Sequence, residues 1–485
     1  MEQLVGRKEE IDLLNKLWTS GKAELLAIYG RRRIGKTFLI SQFFKDKGLY
    51  FEMTGIRKGH TRQQISLFIS RLRKVFSLPP GVKCANWFEA FDLLEKVIES
   101  SSTSKRITLF FDELPWMATH KSDLLQAFET SWNGFLSRCP NLVVVVCGSA
   151  VTWMIRKIVR NKGGLHGRLT AQIRLKPFTL SETRAYLEMR RINLSYLQIV
   201  EIYMAMGGVP KYLSYIEPGK SPAQIIQELC FSSTGPLVAE FDQLYESLFD
   251  NFQMHLRIIE LLATKRKGLT YNELVTKSDL KSGGSLSRAL KELIASGFVQ
   301  FMPFFGRTKR EGTYRLVDEY SLFYLSWIRD ATHNFDEPIS TSYWMKQGQS
   351  SRYATWAGYT FESICLKHIR QIIEALKLSV IADSATYWAQ SSDKSIERDG
   401  GQIDLIIDRS DQCMNLCEIK FYSQPLSLTK GQAEKLNTRR ELFRKSSKTR
   451  KTLINTLITA SGVIVNEHYL SAVENHLDLE ALFNY

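Results

Sequence analysis

The stretch Leu25-Leu26-Ala27-Ile28-Tyr29-Gly30-Arg31-Arg32-Arg33-Ile34-Gly35-Lys36-Thr37 decides the fold of the first part of the chain. Residues 25–29 form an unbroken apolar run, the mark of a strand buried on both faces, and a helical pattern follows directly after Thr37. Between them stands G-x-x-x-x-G-K-[ST], a loop whose glycines let the backbone wrap a phosphate while its amides and the helix N-terminus supply partial positive charge. Gly30, Arg31, Arg32, Arg33, Ile34, Gly35, Lys36 and Thr37 are therefore the expected nucleotide-binding set. Lys36 is suited to the β- and γ-phosphates and Thr37 to a Mg²⁺ ion.

Outward from this loop, LYFEM (49–53), ITLFF (107–111), LVVVV (142–146) and AQIRL (171–175) are further short apolar runs separated by amphipathic patterns, which predicts a parallel α/β sheet. The third strand ends in Asp112-Glu113. Asp112 suits the Mg²⁺ shell and Glu113 the activation of an attacking water. Ser149, just after the fourth strand, is placed to offer a hydroxyl to the γ-phosphate or the water. Arg168 is a candidate arginine finger, in cis or in trans.

From Thr179 to about Phe249 the pattern turns helical, interrupted at Gly207-Gly208-Val209-Pro210, and predicts a helical lid attached to the first domain. Residues 251–317 read as three helices and two short strands. Ser282-Gly283-Gly284-Ser285 opens the third helix, and Phe305-Gly306-Arg307 marks a hairpin tip. Leu286, Leu290, Leu293 and Ile294 give that helix an apolar stripe and leave Ser285, Ser287, Arg288 and Lys291 outward, while Arg307, Lys309 and Arg310 decorate the hairpin. The order fits a winged helix-turn-helix, which either binds a duplex or serves as a packing module. After a connector at 333–338 come a long helix (about 352–376), strands near 384–388, 402–408 and 414–420, a basic helix (about 427–444) and a strand near 452–459.

In this last block Gln402-Ile403-Asp404-Leu405-Ile406-Ile407 precedes Asn415-Leu416-Cys417-Glu418-Ile419-Lys420. Glu418 and Lys420 are two apart and share a strand face. If Ser410, Asp411 and Gln412 form the loop of a hairpin, position 404 pairs opposite 418, and Asp404, Glu418 and Lys420 converge. Two carboxylates can hold Mg²⁺ through oxygen, and a lysine beside them can orient or deprotonate a water for attack on a phosphodiester. Glu362, on the preceding helix, is a further candidate metal ligand.

The whole chain has 485 residues, 44% hydrophobic and 24% charged, enough for about three domains at about 150 residues each and unlike a fibrous or disordered chain. Its longest apolar run, beginning at Leu142, is broken by Gly148 and Ser149, short of the roughly 20 residues that cross a bilayer. The N-terminal MEQLVGRKEE lacks an apolar signal core, so a cytoplasmic protein without a membrane partner is expected. Seven scattered cysteines without a C-x-x-C pair argue for reduced thiols. Sixty-five basic residues against fifty acidic ones leave +15, and nine basic against two acidic residues in 430–451 concentrate part of it. That charge suits a polyanion but is too common to identify one; DNA is the partner expected from the phosphodiester chemistry of Asp404, Glu418 and Lys420, and a homo-oligomer and a protein trigger are left open.

Val5-Gly6-Arg7 with Glu10 and Leu14, the phosphate loop, Asp112-Glu113, Gly148-Ser149, Gly167-Arg168 and Gly208-Val209-Pro210-Lys211-Tyr212 together resemble the archaeal-type P-loop ATPases of the AAA+/STAND group over about residues 1–250. The resemblance implies ATP rather than GTP, with Gly6 and Arg7 near the adenine and Pro210 approaching the nucleotide. Block 340–485 resembles the PD-(D/E)xK nuclease superfamily, with the departure that Ile403, not proline, precedes Asp404. The expectation is a multidomain α/β protein: a parallel-sheet P-loop ATPase (1–178), a helical lid (179–249), a winged helix-turn-helix (250–335) and a C-terminal restriction-endonuclease-like α/β domain (340–485). Its expected function is ATP binding and hydrolysis that regulate a Mg²⁺-dependent DNA endonuclease. The alternative is a non-cleaving STAND-type regulator or transcription factor that binds DNA or a partner.

Overall fold

The structure, a computed structural model, describes residues 4–101, 105–161, 163–249, 252–265, 267–278, 284–308, 310–332, 342–348, 350–390 and 401–484. Ser282, Gly283, Lys309 and the connector 333–338 lie outside the described residues. The chain divides into two compact units, Met1–Pro177 with Leu248–Asp250, and Phe178–Ser247 with Asn251–Tyr485. Among the described residues no helix is long and apolar enough to cross a membrane. All seven cysteines are free thiols.

The first unit is built on five parallel strands: β1 Glu24–Tyr29, β2 Leu49–Thr54, β3 Ile107–Asp112, β4 Leu142–Gly148 and β5 Ala171–Arg174. Their order is β2-β3-β4-β1-β5. Every residue of β1, β3 and β4 is buried, whereas the edge strands β2 and β5 expose part of theirs, so the unbroken apolar runs belong to the central strands. Alternation sends Phe110 to a core with Leu26, Ile28, Phe44 and Val145, and Phe111 to the opposite face against Phe51, Phe68, Phe91 and Phe128. Parallel pairing puts the ends of β1, β3 and β4 along one edge of the sheet, and that edge carries the phosphate loop, Asp112-Glu113 and Ser149.

The second unit begins with helices Leu180–Met189, Tyr196–Met206, Pro210–Leu213, Pro222–Phe231 and Glu240–Leu248. The first of them opens on a capping box, with Thr179 and Glu182 exchanging hydrogen bonds. Residues 178–247 cluster with the C-terminal elements. Leu180 donates its backbone N–H to His368 Nε2 (3.1 Å), and Tyr196 stacks on Phe483. The Gly207-Gly208 turn is close-packed, since a Cβ at Gly208 would stand 2.0 Å from the Phe178 carbonyl oxygen.

Three helices, Phe252–Thr264, Tyr271–Ser278 and Gly284–Ser296, precede the antiparallel pair β6 Val299–Pro303 and β7 Gly312–Leu316. Leu286, Leu290 and Leu293 are buried, with Arg288 and Lys291 exposed on the same helix. The C-terminal sheet runs β14-β12-β10-β9-β8, from β8 Ala382–Gln390, β9 Gly401–Arg409, β10 Cys413–Lys420, β12 Thr452–Thr459 and β14 Asn475–Leu477. A parallel pair, β11 Leu426–Ser427 and β13 Val463–Ile464, lies beside it. Instead of one long helix at 352–376 there are two, Ser351–Lys367 and Ile369–Ala375. The break falls at His368, whose Nδ1–H donates to Ile364 O (2.8 Å) while Nε2 accepts from Leu180, so a side chain takes up a helix carbonyl and a helix-end amide.

Candidate active sites

The phosphate loop is shaped by its glycines. A Cβ at Gly30 would stand 2.4 Å from the Leu175 carbonyl oxygen, and Gly35 takes φ 88° as the residue before helix Lys36–Phe44. Arg33 adopts φ 70° between them. Ile34 is buried in the core under the loop. Lys36 is buried and donates Nζ to the Arg31 carbonyl (2.9 Å), holding its ammonium inside the loop. Arg32 lies over the Trp116 ring, 5.5 Å from its centroid. Gly6 and Arg7 both take left-handed backbone angles at the start of helix Lys8–Thr19, and the Arg7 guanidinium donates to Ile34 O (3.3 Å), tying the N-terminal segment to the loop.

Thr37 Oγ1 donates to Asp112 Oδ2 (3.0 Å), and Thr54 Oγ1, in register with Asp112 on β2, approaches the same oxygen (3.4 Å). Asp112 Oδ1 is buried and receives no N–H or O–H among the described residues. An orphaned carboxylate oxygen beside a threonine hydroxyl suits a hard divalent cation, so Thr37 and Asp112 fit Mg²⁺. Glu113 turns through φ 50°, and its Oε2 accepts both the amide (3.0 Å) and the hydroxyl (2.9 Å) of Ser149. Ser149 thus addresses the carboxylate of Glu113. Arg168 stands elsewhere. Thr170 N donates to Leu25 O, which places the exposed Arg168 at the N-terminal edge of the sheet, five strand residues, or about 16 Å, below Gly30. The geometry therefore removes the cis reading of the arginine finger.

In the second unit, β9 and β10 pair as Asp408 with Met414, Ile407 with Asn415, Ile406 with Leu416 and Leu405 with Cys417, the register set by a loop at 410–412. The next positions are Asp404 and Glu418. Asp404 Oδ2 accepts from Ile419 N (3.1 Å) and Oδ1 from Gln402 Nε2 (3.3 Å). Glu418 Oε1 pairs with Lys420 (2.7 Å), and Oε2 with Arg439. A cavity of about 500 Å³ is lined by these residues together with Glu362, Tyr359 and Lys267. Burial, reinforced by Glu418 and Glu362, pushes the Asp404 carboxyl up to about 8. Burial alone would raise Glu418 too, but Lys420 and Arg439 hold it below the ordinary carboxylate range. Asp404 and Glu418, two carboxylates lining one cavity, are a donor pair that suits a hard cation.

Glu362 Oε1 accepts from Nη1 of the buried Arg315 of β7 (2.9 Å). Among the described residues no group of three or more His, Cys, Asp or Glu is arranged to hold a metal. The basic helix Lys430–Ser447 opens on a capping box between Thr429 and Gln432. Its Phe443 packs with Ile406, Met414, Leu416 and Leu453, and Arg439, one turn earlier, thereby reaches Glu418. Arg440 pairs with Glu474 (2.8 Å) and Lys451 with Asp408 (2.5 Å). A uniformly presented basic face thus gives way to exposed charges at Lys430, Lys435, Lys445, Lys448 and Arg450.

Sequence reading missed Thr54, Arg315 and Lys267, and it took Arg439 as a DNA phosphate contact of the basic run without its pairing to Glu418. Thr54 ends a parallel strand in register with Asp112, a signal visible once the register is known. Arg315 and Lys267 approach from elements distant in sequence. Pro210 occupies the first turn of helix Pro210–Leu213 in the second unit.

Residues 4–216 match the family described as an ATPase domain predominantly from Archaea. This stretch is a P-loop ATPase domain. An uncharacterized protein of Methanocaldococcus jannaschii is 24% identical over 426 residues, 86% of this chain and 87% of its own length. An uncharacterized ATP-binding protein of the same organism is 51% identical over 43 residues, 9% of this chain and 73% of its own. A Walker-type ATPase of Pyrococcus abyssi has a TM-score of 0.49 and 17% identity, covering 66% of this chain and 96% of its own. The ORC2 protein of Aeropyrum pernix, solved as ADPNP and ADP complexes, has a TM-score of 0.42 and 16% identity, covering 69% of this chain and 95% of its own.

Proposed function

We propose that the P-loop ATPase domain binds and hydrolyses ATP with Mg²⁺ to regulate a Mg²⁺-dependent DNA endonuclease site in the C-terminal sheet. The observation that carries this reading is the convergence of Asp404, Glu418 and Lys420 on one cavity, with Glu418 Oε1 2.7 Å from the Lys420 ammonium. Asp404 and Glu418 would hold Mg²⁺, which supplies charge neutralisation at a phosphate when bound. Lys420 stands beside them to orient a water or neutralise the phosphate, and Arg439 has the fork geometry for a phosphate oxygen.

In the ATPase domain, Lys36 takes the β- and γ-phosphates, Thr37 and Asp112 hold Mg²⁺, and Glu113, held by Ser149, is the general base. Gly6 and Arg7 are assigned to the adenine side and Pro210 to the lid. Arg168 acts as a finger in trans, within a homo-oligomer. The proposed division is 1–178, 179–249, 250–335 and 340–485, with the third block a winged helix-turn-helix. For that block the packing role is favoured over duplex reading: Phe305, at the hairpin tip, lies in the same apolar cluster as Trp388 and Phe443.

A second reading, a non-cleaving regulator that binds DNA or a partner, draws support from Glu418, both of whose oxygens are already paired with cations. Plasmid cleavage in Mg²⁺, with and without ATP, comparing wild type with Glu418→Ala, separates the two. Loss of cutting in the variant supports the nuclease, and robust cutting by it locates the activity elsewhere.

A further inference from the structure

The cavity that holds Asp404 and Glu418 is not built by the C-terminal sheet and its helices alone. Lys267, in the turn between helices Phe252–Thr264 and Tyr271–Ser278, lines it. Arg315, on β7, reaches the Glu362 carboxylate from the same three-helix-and-hairpin block (2.9 Å), and its guanidinium rests on the Tyr387 ring, 4.5 Å from the centroid. The block is anchored there. Phe305 N donates to Tyr387 O (3.1 Å), the Thr313 and Tyr387 hydroxyls meet at 3.1 Å, and Phe305 packs on Phe443 with centroids 5.1 Å apart.

The two basic residues differ in what they can do. Arg315 is buried and gives its Nη1 to the Glu362 carboxylate, so it can set where that carboxylate points but cannot meet a ligand from solvent. Lys267 is exposed, forms no ion pair among the described residues, and opens onto a cavity that also contains Lys420 and Arg439. An ammonium at the mouth of a cavity with carboxylates inside it suits a phosphodiester whose backbone runs past a cation site.

Resting on the nuclease reading above, we infer that the three-helix-and-hairpin block completes this site: Lys267 binds a phosphate of the polynucleotide, and Arg315 is a positioning residue that orients Glu362 towards the carboxylates of Asp404 and Glu418. The block is then part of the cleavage site rather than a separate reader of duplex sequence.

The test uses the full chain, with Lys267→Ala, Arg315→Met, Arg315→Lys, Glu362→Gln and the double variant Arg315→Met/Glu362→Gln, which leaves no buried charge unpaired. Lys267→Ala should raise KM for DNA about fivefold with kcat within about twofold, and should lower the log–log salt slope of binding by about 0.9, the value for a single phosphate. Arg315→Met should lower kcat at least about tenfold and raise the Mg²⁺ concentration for half-maximal activity, with Mn²⁺ affinity measured by calorimetry shifting alongside. Arg315→Lys should recover part of both, and on the Glu362→Gln background Arg315→Met should add nothing further. An unchanged KM and salt slope for Lys267→Ala overturn its phosphate role. Additive losses for Arg315→Met and Glu362→Gln, or metal affinity unmoved by Arg315→Met, overturn the positioning role. If wild type cuts no DNA under any condition, the nuclease reading fails, whereas the salt slope of Lys267→Ala still decides the phosphate contact by itself.

Discussion

Ser149 donates its amide and its hydroxyl to one and the same oxygen, Oε2, of Glu113, at 3.0 and 2.9 Å. The two residues close β4 and β3, neighbouring parallel strands, so the rigid sheet sets the aim of the carboxylate. Ser149→Ala removes one donor and leaves the amide. ATP affinity should hold within about twofold and kcat fall roughly tenfold, while Glu113→Gln should keep binding and lose turnover. Equal kcat in Ser149→Ala and wild type would show that the hydroxyl contributes nothing to the aim of Glu113.

Lys36 is buried inside the loop with its Nζ on the Arg31 carbonyl, a bond that a phosphate would replace. Lys36→Ala should abolish tight ATP binding, as read by calorimetry, and with it hydrolysis. Normal turnover in that variant would remove the phosphate loop from the mechanism.

Asp404, Glu418 and Lys420 share one cavity in the second unit, whereas Lys36, Asp112 and Glu113 belong to the first. Asp404→Ala, Glu418→Ala and Lys420→Ala should therefore each remove DNA cleavage and leave ATP hydrolysis within about twofold of wild type. Parallel loss of both activities in all three variants would contradict two independent sites.

His368 is fully buried with its Nδ1–H on Ile364 O and its Nε2 accepting from Leu180 N. Burial and, to a smaller extent, Lys367 lower it from 6.5 to about 4, against a raising contribution from the Ile364 carbonyl; the Tyr203 ring is its other close neighbour. Because the unfolded chain takes up this proton first, stability from His368 is complete above its unfolded value and is lost as pH falls through 6.5 towards 4. Between pH 7 and pH 5 the loss is about 2 kcal/mol. His368→Gln should flatten the fall in unfolding temperature over that range, measured by calorimetry, and an unchanged fall would assign it to other groups.

Along the basic helix and the turn after it, Lys435, Lys445, Lys448 and Arg450 are exposed, whereas Arg440 is held by Glu474. Neutralising those four should flatten the log–log salt dependence of DNA binding by about 0.9 for each phosphate that the helix no longer neutralises, and Arg440→Ala should change it by much less. The opposite ranking would place the DNA path along the Glu474 side.

Much of this architecture was legible along the chain. The apolar runs at 25–29, 107–111 and 142–146 announce central parallel strands because both faces are buried. G-x-x-x-x-G-K-T announces the loop because few other backbones wrap a phosphate. The three-residue loop after Arg409 aligns Asp404 with Glu418 because strand pairing propagates register two residues at a time. These signals act over a few residues, through periodicity, capping and turn length. The rest needed elements that meet only after packing. Phe443 in the apolar core of the sheet brings Arg439 to Glu418, the anchored hairpin brings Arg315 to Glu362, and the parallel register of β5 against β1 takes Arg168 away from the phosphate loop. His368 broke an otherwise continuous helical pattern for the same reason: its partner, the Leu180 amide, lies 188 residues earlier, and no local preference encodes it. Strand, loop and register, and with them the Glu418–Lys420 pair, were decided by neighbours in sequence, whereas the pairs that Arg439 and Arg315 make were decided by which elements the apolar faces brought together.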